Sequence, residues 1–136
     1  MTRLLLISLL VLFFALPLFA QSVDTAWVRR YNGPGNRNDW ASALALDGSG
    51  NVYVTGGSYG NGPHFDYATV KYDSSGNQRW VQRYNGPGDS TDYVYAIVVD
   101  GSGNVYVTGG SFGSGTSWDY ATVKYDSSGN QLWVQR

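Results

Sequence analysis

Asp47-Gly48-Ser49-Gly50-Asn51-Val52-Tyr53-Val54-Thr55-Gly56-Gly57-Ser58 recurs unchanged as residues 100–111, 53 positions later. The first five residues read as a tight turn. Asp and Asn side chains hydrogen-bond their own backbone, and Gly supplies positive φ. The next four alternate, with Val52 and Val54 on one face and Tyr53 and Thr55 on the other, which is the period of a strand. A hairpin that returns at a fixed spacing is the unit from which the chain is built.

Reading outward, residues 40–46 before the turn are short and apolar on both alternating faces, as are residues 93–99 in the second copy. A strand with two apolar faces is expected to be buried on both sides. After residues 52–55 comes a longer loop, 58–65, then a third strand over 67–72. A second Asp-Ser-Ser-Gly-Asn turn (73–77) leads to a fourth strand over 78–84. Its arginines are expected at a solvent-exposed edge, where charge discourages pairing with other chains.

Trp27, Trp80 and Trp133 mark the period. It runs over 27–79 and 80–132 and opens a third time at 133–136. The two copies align without a gap and about 37 of the 53 positions are identical, so both must fold alike. A period of about 50 residues decides the architecture before any single residue does. Each copy predicts a four-stranded antiparallel meander, and residues 27–31 predict an extra strand of the fourth type at the front. Gly and aromatic motifs recurring once per four strands are the cue for a propeller blade. The fold class is all-β.

The flanks and composition bound the rest. Residues 1–20 read as a signal peptide: Arg3 gives the positive start, 4–16 are apolar or small, and Pro17 precedes Ala20 at the cleavage point. A retained anchor is the rival reading, at the short limit for a span. Cleavage leaves 21–136 as the repeat region, secreted and with no membrane partner. There is no cysteine, so export adds no disulfide. A formal net charge of −1 without a Lys/Arg cluster argues against a nucleic-acid partner.

The residues at 47–58, 66–77 and their copies, with the closing Trp, resemble the seven-bladed β-propeller repeat family of secreted and cell-surface bacterial proteins. The resemblance covers the whole mature chain. It implies blade architecture, and no single chemistry, since such folds serve many functions. Two blades and an extra strand cannot close a ring of about four to eight blades. Further blades are therefore expected, from a longer chain or from homo-oligomerisation. The abrupt stop favours a fragment of a longer propeller.

No catalytic residue, cofactor site or metal site is expected. Asp47, Ser49 and Asn51 offer oxygens as the front of a calcium loop does, but the later ligands are missing and a turn explains them. His64 stands alone in a loop. Asp39/Asp92 and Asp66/Asp119 recur in both copies, which fits bonding of turn or strand-end backbone in every blade. The non-identical loop aromatics Tyr59, Phe65, Phe112 and Trp118 are the candidate ligand-binding residues, suited to a protein or glycan. The expected function is a secreted or cell-surface binding or scaffold module that is not an enzyme. The alternative is a polysaccharide hydrolase or lyase acting on the propeller axis.

Overall fold

Four turns with the same chemistry fix the strand order. Asp47 shows why: its Oδ1 accepts the Ser49 and Asn51 amides, and its Oδ2 accepts the Asn51 side-chain amide at 2.7 Å. Gly50 closes the turn with φ +75°, which a side chain with Cβ adopts only under strain. Asp73, Asp100 and Asp126 repeat the arrangement with Asn77, Asn104 and Asn130.

The computed structural model describes residues 24–136; the expected signal peptide lies outside the described residues. The strands are β1 (Asp39–Leu46), β2 (Val52–Tyr59), β3 (Phe65–Tyr72) and β4 (Gln78–Tyr84), then β5 (Asp92–Val99), β6 (Val105–Phe112), β7 (Trp118–Tyr125) and β8 (Gln131–Gln135). They form two four-stranded antiparallel sheets, each paired in simple sequence order. Among the described residues there is no helix. The expected meanders are present, as two blades of an open, partial propeller.

The two sheets stack face to face, as the inner faces of a sandwich do. Tyr53, Tyr67 and Tyr84 of the first sheet meet Val94, Ile97, Val105, Val107, Val123 and Tyr125 of the second in one buried cluster. Tyr53 and Tyr67 project from the same side of the sheet because Tyr53 pairs with Lys71 and Gly57 with Tyr67. The valines are the alternating set on the opposite side of the second sheet. Each blade therefore has two unlike faces, one tyrosine-bearing and one valine-bearing.

Three expectations are corrected. The apolar strands β1 and β5 are not covered on both faces: Leu44 is 65% exposed and Tyr95 67%. Only the joint between the sheets is closed by a blade. The second sheet's tyrosine face lies open, while on the first sheet's valine face residues 27–31 stand over Val70 and Tyr72, which are buried. Residues 27–31 make no strand pairing, because no neighbouring strand is there to receive their ladder. The loop after β2 is shorter than 58–65, since Gly56–Tyr59 stay paired with β3 down to Phe65. Gly56 and Gly57 allow this: a Cβ on Gly56 would overlap the Trp40 carbonyl, and one on Gly57 would strike the Trp40 indole.

Candidate functional site

The joint between blades is built from the fourth strand of one blade and the turns of the next. Trp80 lies over Gly129, and its indole N–H donates to the Ser127 carbonyl at 3.2 Å. The Lys71 ammonium donates to the same carbonyl at 3.2 Å. The Tyr67 hydroxyl is 3.4 Å from the Gly110 and Ala121 carbonyls of the second sheet. Burial raises the pKa of Tyr67 well above that of a free tyrosine, so it stays a neutral donor.

Residues 27–35 do for the first blade what 80–88 do for the second. Trp27 covers Gly76 and donates to Ser74 at 3.2 Å. Gly33 donates to Asp39 and Gly35 to Tyr59, as Gly86 does to Asp92 and Gly88 to Phe112. The front segment thus holds the position of a fourth strand without a sheet of its own.

A polar hub closes each blade at one end. Arg83 donates to the Ser58 hydroxyl at 2.6 Å, the Ser58 carbonyl at 2.7 Å, Asp66 at 2.9 Å and Tyr31 at 3.4 Å. Arg136 repeats the pattern with Ser111, Asp119 and Tyr84. The Arg83 side chain is only 22% exposed, so the expectation of an edge charge turned to solvent does not hold for it. Burial raises the Asp66 carboxyl, and the Arg83 guanidinium opposes that shift. Asp39 and Asp92 accept the loop amides of Gly33 and Gly86, and the second carboxylate oxygen of each is buried without a partner.

Tyr59 and Phe65 are a cross-strand pair with ring centroids 3.9 Å apart, and Phe65 meets Trp40 edge-on at 4.0 Å. The Arg37 guanidinium sits 4.1 Å over Tyr59. These contacts consume the pair's surface. Phe112 and Trp118 are also paired across strands, at 5.6 Å, and Trp118 stacks on Tyr93 at 5.4 Å. Trp118 keeps 48% of its surface exposed. The four candidates therefore form two separate pairs, one per blade, and only the second is open. His64 lies in the exposed loop between β2 and β3, just before Phe65.

Concavities among the described residues include two beside these aromatics. A groove of about 360 Å³ on the first blade lies between Trp27, Tyr31, Trp40, Val54 and Tyr72. A second, of about 500 Å³, lies among Tyr95, Gly110, Trp118, Asp119 and Tyr120. Tyr95 and Tyr120 were not singled out from the sequence. Tyr120 has an identical counterpart, Tyr67, and so reads as framework. Tyr95 sits at the bulge between Val94 and Ala96, which turns it out of the regular alternation.

Four-stranded meanders stacked in this way define a propeller-type repeat protein. The family described as Beta-propeller repeat matches residues 26–63 and 79–113, more than half of the chain. The chain belongs to that family. Both matches begin at the tryptophan segment and end near the loop after the second strand, so they follow the period read from the sequence. No curated protein matches the chain.

Proposed function

We propose that the chain is a non-enzymatic binding or scaffold module of the secreted or cell-surface, seven-bladed type, and that it holds a protein partner on the uncovered tyrosine face of its second blade. One observation carries the reading. Tyr67 and Tyr120 occupy the same register, yet Tyr67 is 1% exposed and Tyr120 is 85% exposed. Tyr95 and Trp118 lie beside Tyr120, and Val98 and Trp133 add exposed apolar surface further along the same face. Aromatic side chains that are rigid and amphipathic are the usual anchors of protein interfaces. The acidic side chains of the blade ends recur in both copies and serve backbone amides or arginines, which suits a framework better than a reaction centre.

A benzophenone amino acid in place of Tyr120 tests the reading in cells that export the chain. Illumination is expected to give protein adducts, while the same group in place of His64, exposed in the loop between β2 and β3, gives none. The concavity beside Trp118 and Asp119 favours a second reading, a glycan stacked on Trp118. Absence of adducts, with Trp118 fluorescence responding to soluble oligosaccharides, would turn the assignment to that reading.

A further inference from the structure

The joint inside this chain is a template for a joint between chains. The tyrosine face of the first blade presents Tyr53, Thr55, Tyr67, Thr69, Lys71 and Trp80. The uncovered face of the second presents Tyr106, Thr108, Tyr120, Thr122, Lys124 and Trp133 at the same registers. The receiving side matches as well. Val105, Val107, Ala121, Val123 and Tyr125 line the closed joint, and Val52, Val54, Ala68, Val70 and Tyr72 stand at those places on the first blade. At two of the places where the copies differ, sizes compensate: Val98 stands for the smaller Ala45 on one face, and Ala41 for the larger Val94 on the other. Tyr95, by contrast, adds a ring where the first blade has Ser42. One molecule thus carries both halves of a joint, one half at each end.

We infer that the partner of the uncovered face is a second copy of this chain, docked head to tail with the valine face of its first blade on Tyr106, Tyr120 and Trp133. This rests on the proposed function and names the partner. By the geometry of the closed joint, the Tyr120 hydroxyl then reaches the Gly57 and Ala68 carbonyls of the second copy. Lys124 and the Trp133 indole reach the Ser74 carbonyl. That carbonyl is occupied within the chain by Trp27. Residues 133–136 and 27–30 have the sequences Trp-Val-Gln-Arg and Trp-Val-Arg-Arg, so they compete for one position. Residues 27–31 have no ladder to lose, and docking displaces them. The contact is heterologous, because unlike faces meet, and such contacts propagate into rings or open arrays.

Sedimentation velocity of the full chain over a concentration series tests this, with two variants at sites exposed in the monomer. Tyr120→Ser damages one face and Leu44→Asp the other. Both residues are well exposed, at 85% and 65%, so both variants keep the wild-type melting temperature at low concentration. Wild type is expected to shift to larger species as concentration rises. Each variant should self-associate about 10- to 100-fold more weakly, as when an interface anchor is lost. Their equimolar mixture should form a dimer that grows no further, because each variant retains the half the other lacks. Trp27→Ala, which vacates the Ser74 carbonyl, should tighten wild-type association. A chain monomeric at every concentration, a mixture that stays monomeric, or unchanged association of either variant overturns the inference. If the Tyr120 benzophenone then joins a different protein, the binding-module reading stands while the second-copy identity falls. If it joins none, both fall.

Discussion

Blade one and blade two share most of their residues and differ most in what their tyrosines touch. Tyr67 is packed under the second sheet, whereas Tyr120, its copy, stands in solvent; Tyr53 is fully buried, and Tyr106 only in part. On the opposite side Val105 is fully buried and its copy Val52 is not. The same letters acquire different energies because burial depends on the neighbouring unit. In stacked repeats stability is a sum of unit and interface terms, and here one interface is closed.

The widest separation between the copies is expected at those tyrosines. Tyr67→Ala should cost about 3–5 kcal/mol, the range for removing a buried aromatic. Tyr120→Ala should change monomer stability by less than about 0.5 kcal/mol. Urea denaturation of the two variants measures this, and equal losses would break the comparison.

The polar hubs should separate the copies less. Arg83→Ala leaves the Ser58 carbonyl and Asp66 without their shared donor, and should cost about 1–3 kcal/mol. Arg136→Ala should cost less, because its partner Asp119 is 40% exposed and can turn to water. Thermal denaturation of both variants provides the check.

The turns sharpen the comparison further. Gly50 and Gly129 have φ of +75° and +91°, so alanine at either carries a strain of about 1–2 kcal/mol. A Cβ at Gly129 also meets the Trp80 indole at 2.8 Å, while at Gly50 the nearest atom is 3.6 Å away. Gly129→Ala should therefore destabilise more, and should shift tryptophan fluorescence where Gly50→Ala does not.

The smallest expected effect is on acid stability. Desolvation raises the Asp47 carboxyl, but hydrogen bonds from Asn51, Tyr53 and Ser49 outweigh it and hold the pKa at about 2, against an ordinary 3.8. The ionised form is favoured by folding. Its contribution is therefore complete above pH 3.8 and is lost as pH falls through about 2. Asp73, Asp100 and Asp126 shift in the same direction. Melting temperature should fall between pH 4 and pH 2, and Asp47→Asn should flatten part of that fall; an unchanged slope would remove Asp47 from the account.

The strand order and the turns were legible because alternation and the Asp-Gly-Asn chemistry are local. The pairing of Gly56 and Gly57 was not, since Gly reads as a breaker until the Trp40 backbone is seen beside it. Arg83 read as an edge charge because nothing in the fourth strand shows which way the side chain turns; Ser58 and Asp66 lie on other strands. The candidates Tyr59, Phe65, Phe112 and Trp118 were found through their differences between copies. Tyr120 was hidden by its identity with Tyr67. A repeat comparison detects what varies, and exposure varied here without any change of residue.

Trp27 and Trp80 each reach forward onto the following blade, so the sequence period and the folded blade are out of phase by one strand. Trp80 and its acceptor Ser127 lie in one period, as do Gly86 with Asp92 and Gly88 with Phe112. A duplication that copies 53 residues from tryptophan to tryptophan therefore copies these fastenings intact along with the strands. A blade gained or lost in that frame carries its own attachment, and the chain can change in length by recombination without inventing a new contact.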